Sequence, residues 1–440
     1  MLARITPTPL AGTVPAITSK SMAHRAIIAA ALANGVTDIH CATTCADIEA
    51  TIGCLTALGA RIERAGETLL RVHPIPKSRA HGILRALAGR TLDCNESGST
   101  LRFMLPVACA LGADATFTGA ARLGARPLEP LAGELIAAGC SVEGLGGFPL
   151  RCEGRIRPGR FELAGNVSSQ YISGLLLAAP LLDGATQVDV IGALESRPYV
   201  DLTIEVLASF GVDVSVREGA TPGGLPLTSF AVPADAAFRT PGTFAVEGDW
   251  SNAAFWLCAG ALGTHAVTVT GVEAGSVQGD RAVSTALMLF GAKGRRNAHA
   301  STIRPKRLRG ITLDAHDIPD LVPVLAAVAA CAEGTTRITG CARLRIKESD
   351  RLLTTTAELE HLGARVTIEG NDLVIEGQPR LRGGRVESHN DHRIAMMAAI
   401  AAVRCEEPVE IAGAEAVNKS YPDFFDHYRL LGGQVELIDA

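Results

Sequence analysis

The sequence predicts an α/β protein of two similar domains, each built from three repeated α/β units. Three observations predict it. The chain has 440 residues, too long for one ordinary core, so two domains are expected. A polar head running into an Ala-rich apolar helix recurs six times at a long, nearly constant spacing. Short strands and a glycine-capped amphipathic helix follow each copy, and self-similarity at a fixed period marks a repeated supersecondary unit.

The six heads are SKSMAHRAIIAAALANG from Ser19, ESGSTLRFMLPVACALG from Glu96, SSQYISGLLLAAPLLDG from Ser168, GDWSNAAFWLCAGALG from Gly248, IPDLVPVLAAVAACAEG from Ile318 and NDHRIAMMAAIAAV from Asn390. Their starts lie 77, 72, 80, 70 and 72 residues apart. Ser, Asp and Asn are the usual helix N-caps, and the first five copies stop at a glycine, as helix C-termini often do. Next come short strands such as DATFTG, TQVDVIG, HAVTVTG, TRITG and PVEIAG. Then comes a second helix ending in a shared phrase, seen in LTALGARIE, LIAAGCSVE and LEHLGARVTIE. Six modules divide into two domains of three, with the Pro/Gly/Thr-rich stretch Thr221–Gly242 as the expected crossover.

Composition narrows the function classes. Hydrophobic residues make up 47% and charged residues 20%, which fits a globular protein. Aromatics are 4%, so the cores are expected to be Ala, Leu, Val and Ile. A net charge of -5 argues against a nucleic-acid binder, which normally carries a basic excess. Eleven cysteines form no CxxC pair, and Cys41 and Cys45 have no His at zinc spacing, so a reducing cytoplasm is expected. No apolar run is long enough for a bilayer, and MLARITPTPL does not read as a signal peptide. GxxxxGKS/T, GxGxxG after a strand, HExxH and GxSxG are absent, and neither metal nor cofactor is expected.

Charge placement points to anions. Helix N-termini carry unsatisfied N–H groups and attract negative charge. At or near the heads stand Lys20, Arg25, Arg102, Arg126, Arg197, Lys347, Arg351, Arg393 and Lys419. A net acidic chain has set cations where a plain cap would prefer an acid. That reads as a cleft for small phosphates or carboxylates, which Arg pairs bidentately. For any single head a cap alone suffices, and the recurrence carries the anion reading.

At this point the motifs resemble the enolpyruvyl transferase family, and within it the members acting on shikimate 3-phosphate. SKSMAHR at 19–25, ESGSTLRF at 96–103, GARPLEPL at 124–131, SSQYISGLL at 168–176, ESRPYVDLT at 195–203, VEGDWSNAAF at 246–255, IPD at 318–320, RIKESDRL at 345–352, NDHRIAM at 390–396 and NKSYPDFF at 418–425 stand in the family's order along nearly the whole chain. The resemblance implies an inside-out α/β barrel type, with helices inside. One domain interrupts the other: residues 19–239 are inserted, and 1–18 with 240–440 form the discontinuous domain, the two closing over the substrates. It also implies transfer of the enolpyruvyl group of phosphoenolpyruvate (PEP) to the 5-hydroxyl of shikimate 3-phosphate, releasing phosphate. That is a shikimate-pathway step toward aromatic amino acids. A cytoplasmic monomer without cofactor, nucleic-acid or membrane partner is expected.

By the same resemblance, Ser21, Arg25, Ser168, Ser169, Gln170, Ser196, Tyr199, Asp320 and Lys347 would hold shikimate 3-phosphate. Lys20, Gly98, Arg126, Gln170, Arg351, Arg393 and Lys419 would hold PEP. Asp320 and Glu348 are similar to the family's base and acid, with Lys20 beside them as a catalytic residue. The chemistry needs one group to take the hydroxyl proton and one to protonate the PEP methylene. Read locally, Asp320 is also a first-turn acid after Pro319, and Glu348 a solvated charge in KESDR. Asn390 or Asp391 is expected to cap its helix while Arg393 reaches the PEP carboxylate. Arg102 is set behind the site, and His392 is left as a capping or orienting group.

Two positions depart from some members, which have Asn where this chain has Glu96 and Arg343. UDP-N-acetylglucosamine 1-carboxyvinyltransferase is the close rival, but GAARLGARP has Ala121 where that enzyme's loop has Cys, and Lys20 precedes Ser21 rather than Asn. A non-catalytic clamp for nucleic-acid backbone is the rival of another class, disfavoured by the net charge.

Overall fold

The computed structural model describes residues 1–76 and 89–439. The chain divides into two compact units, Met1–Ser19 with Glu247–Ala440, and Lys20–Val246. The described residues form six four-stranded sheets, three in each unit. A complete module runs strand, inner helix, strand, outer helix, hairpin, as in residues 160–232. In that module Arg160–Ala164 pairs parallel with Thr186–Ile191, and the hairpin Ser215–Ala220 and Pro226–Val232 continues the sheet antiparallel.

In the inserted unit the inner helices are α1 (Lys20–Ala31), α3 (Gly98–Leu111) and α5 (Ser169–Ala178). The outer ones are α2 (Ala46–Ala57), α4 (Leu131–Ala137) and α6 (Arg197–Ser209). In the discontinuous unit α7 (Trp250–Leu262), α9 (Val322–Ala329) and α11 (His392–Ala401) lie inside. Outside them are α8 (Val283–Phe290), α10 (Arg351–His361) and α12 (Phe424–Leu430). Every residue of α7, α9 and α11 is buried. A helix apolar all round belongs in a core, and these three pack on one another. Their Ala-rich faces allow that approach. In the inserted unit α3 and α5 pack so tightly that a Cβ on Gly174 would lie 2.3 Å from the Arg102 carbonyl oxygen, so glycine is required there.

The modules are completed by distant segments. Leu2–Thr6 is inserted between Val409–Ala412 and Gln434–Ile438. Gly12–Pro15 pairs parallel with Val267–Thr270, and Thr243–Ala245 with Thr37–His40. This corrects the expected crossover. Thr221–Gly242 is not a linker, because it contains the strand Pro226–Val232. The second boundary falls at Val246/Glu247 rather than 239/240, because the ladder of Thr243–Ala245 ties it to the inserted unit. The first falls at Ser19/Lys20 rather than 18/19.

The glycine stops are looser than expected. Gly112 is a left-handed cap of α3 with φ 68°, but α1, α5 and α9 end before Gly35, Gly184 and Gly334. After α5 the chain tightens into the 3-10 turn Ala179–Leu181, which takes up the last carbonyls instead. All eleven cysteines are buried free thiols. Among the described residues no helix is long and apolar enough to cross a membrane.

Candidate active site

In the discontinuous unit the head residues meet around one carboxylate. Asp320 lies in the 3-10 turn Pro319–Leu321 that leads into α9. Lys347 and Glu348 lie between the turn Ala342–Ile346 and α10, and Arg351 opens α10 behind its cap Asp350. Arg393 is in the first turn of α11. Asp320 Oδ1 is 3.2 Å from Lys347 Nζ and 2.8 Å from Arg351 Nη1, and its Oδ2 is 3.3 Å from Arg393 Nη2. Arg393 Nη1 also donates to the Asp320 carbonyl at 3.0 Å. Burial pushes the Asp320 carboxyl up, but Arg393, Lys347 and Arg351 outweigh it and hold it well below the usual range.

Arg351 is the hub. Its Nε and Nη2 donate to Asp391 at 2.8 and 3.1 Å, and Nη2 is 2.7 Å from Glu348 Oε2. Glu348 is therefore ion-paired rather than a solvated charge. Burial lowers the Lys347 ammonium. The Arg343 charge adds to that lowering, so the departed position acts on Lys347. Lys419 Nζ donates to the Asn390 carbonyl at 2.5 Å.

The question of which residue caps α11 is resolved by Asp391, whose Oδ1 accepts from Arg393 N at 3.0 Å. Asn390 is instead in the left-handed region, φ 55°. His392 is buried with Nδ1 3.8 Å from Asp391 Oδ1, and it does not cap the helix.

In the inserted unit two guanidinium groups converge on one helix start. Ser97 caps α3 by accepting from Thr100 N at 3.2 Å. A Cβ on Gly98 would stand 2.7 Å from both Arg102 Nη1 and Arg126 Nη1. A side chain there would force one of the guanidinium groups to move. Arg102 was expected behind the site, yet it stands at Gly98 with Arg126. Its charge could not be ranked from sequence, because α3 buries most of its length.

Lys20 opens α1 and pairs with Asp47 at 2.8 Å. Arg25 is buried among neutral acceptors: Thr203 Oγ1 at 2.7 Å, the Ser21 carbonyl at 2.6 Å, the Tyr199 carbonyl at 3.0 Å and Ser173 Oγ at 3.3 Å. Its contacts thus join Ser21 to Tyr199, while burial lowers its proton affinity. Ser168 Oγ caps α5 through Gln170 N at 3.3 Å, and Ser169 is buried behind it. Gln170 Nε2 donates to Ser99 Oγ at 2.9 Å, tying the α5 head to the α3 head. Ser196, at the N-cap of α6, has φ 55°.

Sequence reasoning missed Asp47, Ser251 and Asp280. Asp47 pairs with Lys20, and Ser251 accepts from Arg393 Nη2 at 2.9 Å. Ser251 donates in turn to Asp280. The only local signal was Ser251 in its polar head, since the partners lie in other elements.

A family model described as EPSP synthase (3-phosphoshikimate 1-carboxyvinyltransferase) matches residues 5–428. A 3-phosphoshikimate 1-carboxyvinyltransferase of Clostridium kluyveri is 39% identical over 433 residues, covering 98% of this chain and 97% of that protein. One of Clostridium acetobutylicum is 39% identical over 441 residues, covering 98% and 97%. The solved EPSP synthase from Acinetobacter baumannii superposes with a TM-score of 0.78 at 27% identity, covering 99% of this chain and 100% of that one. The chain belongs to the EPSP synthase (3-phosphoshikimate 1-carboxyvinyltransferase) family of transferases.

Proposed function

We propose that this chain transfers the enolpyruvyl group of PEP to the 5-hydroxyl of shikimate 3-phosphate and releases phosphate. The observation that carries the residue roles is the Asp320 carboxylate held by Lys347, Arg351 and Arg393. Without substrate, Asp320 satisfies cations that an incoming phosphate or carboxylate would claim. Substrate anions draw charge from those cations and add their own. Both effects raise the Asp320 proton affinity, so the base strengthens as the substrates arrive.

The steps balance as addition and elimination. Asp320 takes the 5-hydroxyl proton, the hydroxyl oxygen bonds to C2 of PEP, and Glu348, which takes up a proton as the substrate anions claim Arg351, gives it to the methylene carbon. The C2–O bond to phosphate then breaks, the new methyl group returns its proton to Glu348, and the leaving phosphate takes the hydroxyl proton from Asp320. Lys347, with Ser21, Arg25, Ser168, Ser169, Gln170, Ser196 and Tyr199, holds shikimate 3-phosphate. Arg351, Arg393 and Lys419, with Lys20, Gly98, Arg126 and Gln170, hold PEP. Arg102 joins that set because its guanidinium also abuts Gly98. Lys20, which pairs with Asp47, is kept as a catalytic residue of this reading. The buried free thiols suit a reducing cytoplasm.

The test is phosphate release from PEP with shikimate 3-phosphate, run beside UDP-N-acetylglucosamine. Release with the first alone is expected. Release with the second alone would overturn the acceptor assignment, and silence with both would overturn the activity. The matched family does not favour the second acceptor.

A further inference from the structure

Asp280 lies in the 3-10 turn Gly279–Ala282 before α8 and is 3% exposed. Ser251, in the first turn of α7, donates its hydroxyl hydrogen to Asp280 Oδ2 and accepts from Arg393 Nη2 at 2.9 Å. A hydroxyl has one hydrogen to give. Committed to a carboxylate, that hydrogen leaves the Ser251 lone pairs facing the guanidinium. The preceding residues brace the same helix start. Gln278 Oε1 accepts from Trp250 N at 3.0 Å, and Gln278 Nε2 donates to the Gly248 carbonyl at 2.8 Å and to Glu247 Oε1 at 2.9 Å.

We propose that Asp280 is a positioning residue that acts through the Ser251 hydroxyl to aim the Arg393 guanidinium at the carboxylate or phosphate of PEP. This rests on the reading of Arg393 as a PEP-binding cation. The contacts favour it. The side-chain contact of Arg393 with Asp320, at 3.3 Å, is longer than that with Ser251, at 2.9 Å. An incoming anion can displace the former, and the Ser251–Asp280 relay keeps the guanidinium oriented. Asp249, the nearby acid on the α7 side, is engaged as the cap of Asn252 N at 2.7 Å. Among the charged groups that act on Asp280, Asp320 and Asp249 push its carboxyl up and Arg393 pulls it down.

The experiment compares wild type, Asp280→Asn, Ser251→Ala and the double variant. KM for both substrates comes from phosphate release, and PEP binding from calorimetry. Asp280→Asn keeps the packing but removes the charge that pins the hydroxyl. It is expected to raise KM and Kd for PEP by about tenfold while KM for shikimate 3-phosphate stays within about twofold. The double variant is expected to be no worse than Ser251→Ala alone, because the effect runs through that hydroxyl.

The pH readout is independent. Burial, with Asp320 adding, pushes the Asp280 carboxyl up to about 6. Below that pH wild type carries the proton itself, so the variant-to-wild-type ratio of PEP KM is expected to fall toward one. Titration of the substrate is common to both proteins and cancels. A carboxyl raised in the folded state loses stability as pH rises toward its folded pKa. The variant is therefore expected to melt no lower than wild type at pH about 7.5. A PEP KM changed less than about twofold would overturn the relay. So would additive effects in the double variant, or a lowered melting point with kcat and both KM values impaired together. If wild type fails to turn over shikimate 3-phosphate, the functional reading fails, and PEP calorimetry still decides the relay.

Discussion

Arg351 grips both carboxylate oxygens of Asp391, with Nε 2.8 Å from Oδ2 and Nη2 3.1 Å from Oδ1, and neither side chain is more than 1% exposed. The pair joins the first turn of α10 to the N-cap of α11. Asp391 also caps Arg393 N and accepts from Ser349 Oγ at 3.0 Å. One buried carboxylate thus sets two of the cations that surround Asp320.

Removing it should cost stability. Asp391→Ala leaves a buried guanidinium short of its partner and an uncapped helix, an expected loss of about 3–5 kcal/mol in urea unfolding. Burial raises the Asp391 carboxyl and Arg351 outweighs it, so its folded pKa is depressed. The stability it contributes is then present above about pH 4 and lost as pH falls through the folded pKa. Wild type and variant should converge in strong acid, and a gap that persists there would contradict this.

Asp320→Ala separates binding from chemistry. Loss of a general base typically removes about 100- to 10,000-fold in rate. PEP binding by calorimetry should not weaken, because Lys347, Arg351 and Arg393 lose a competitor for substrate anions. Turnover near the wild-type value would remove Asp320 from the base role.

At Gly98 a single methyl group should act on one substrate. Its Cβ would meet Arg102 and Arg126 at 2.7 Å, so a guanidinium must move. Overpacking of this kind costs about 1–3 kcal/mol, and about tenfold in PEP KM is the expected effect of Gly98→Ala. KM for shikimate 3-phosphate should hold. An unchanged PEP KM would show that neither arginine serves that anion.

Gly174→Ala tests packing. The methyl would stand 2.3 Å from the Arg102 carbonyl, backbone that cannot swing aside. A loss of about 1–3 kcal/mol is expected from urea midpoints, and a midpoint equal to wild type would mean that α3 and α5 can part without cost.

The Ala-rich helices and their polar heads were legible because the signals are local. A cap and its target lie within three residues, as with Ser97 and Thr100 or Asp249 and Asn252. Strand completion was not legible, since Leu2–Thr6 pairs with residues beyond 400. The crossover was misplaced for the same reason. Turn-rich composition marks Thr221–Gly224, but no local pattern says that Thr243–Ala245 will join Thr37–His40.

By itself the sequence determined the six modules, their Ala-rich helices and the supply of cations at the heads, because periodicity and capping act over a few residues. Tertiary structure alone decided that Arg351 is shared among Asp320, Glu348 and Asp391, that Arg102 stands with Arg126 at Gly98, and that Asp280 reaches Arg393 through Ser251. Those partners come from different modules or elements, and a charge chooses its partner by distance in space and by exclusion of water, neither of which is written in neighbouring residues.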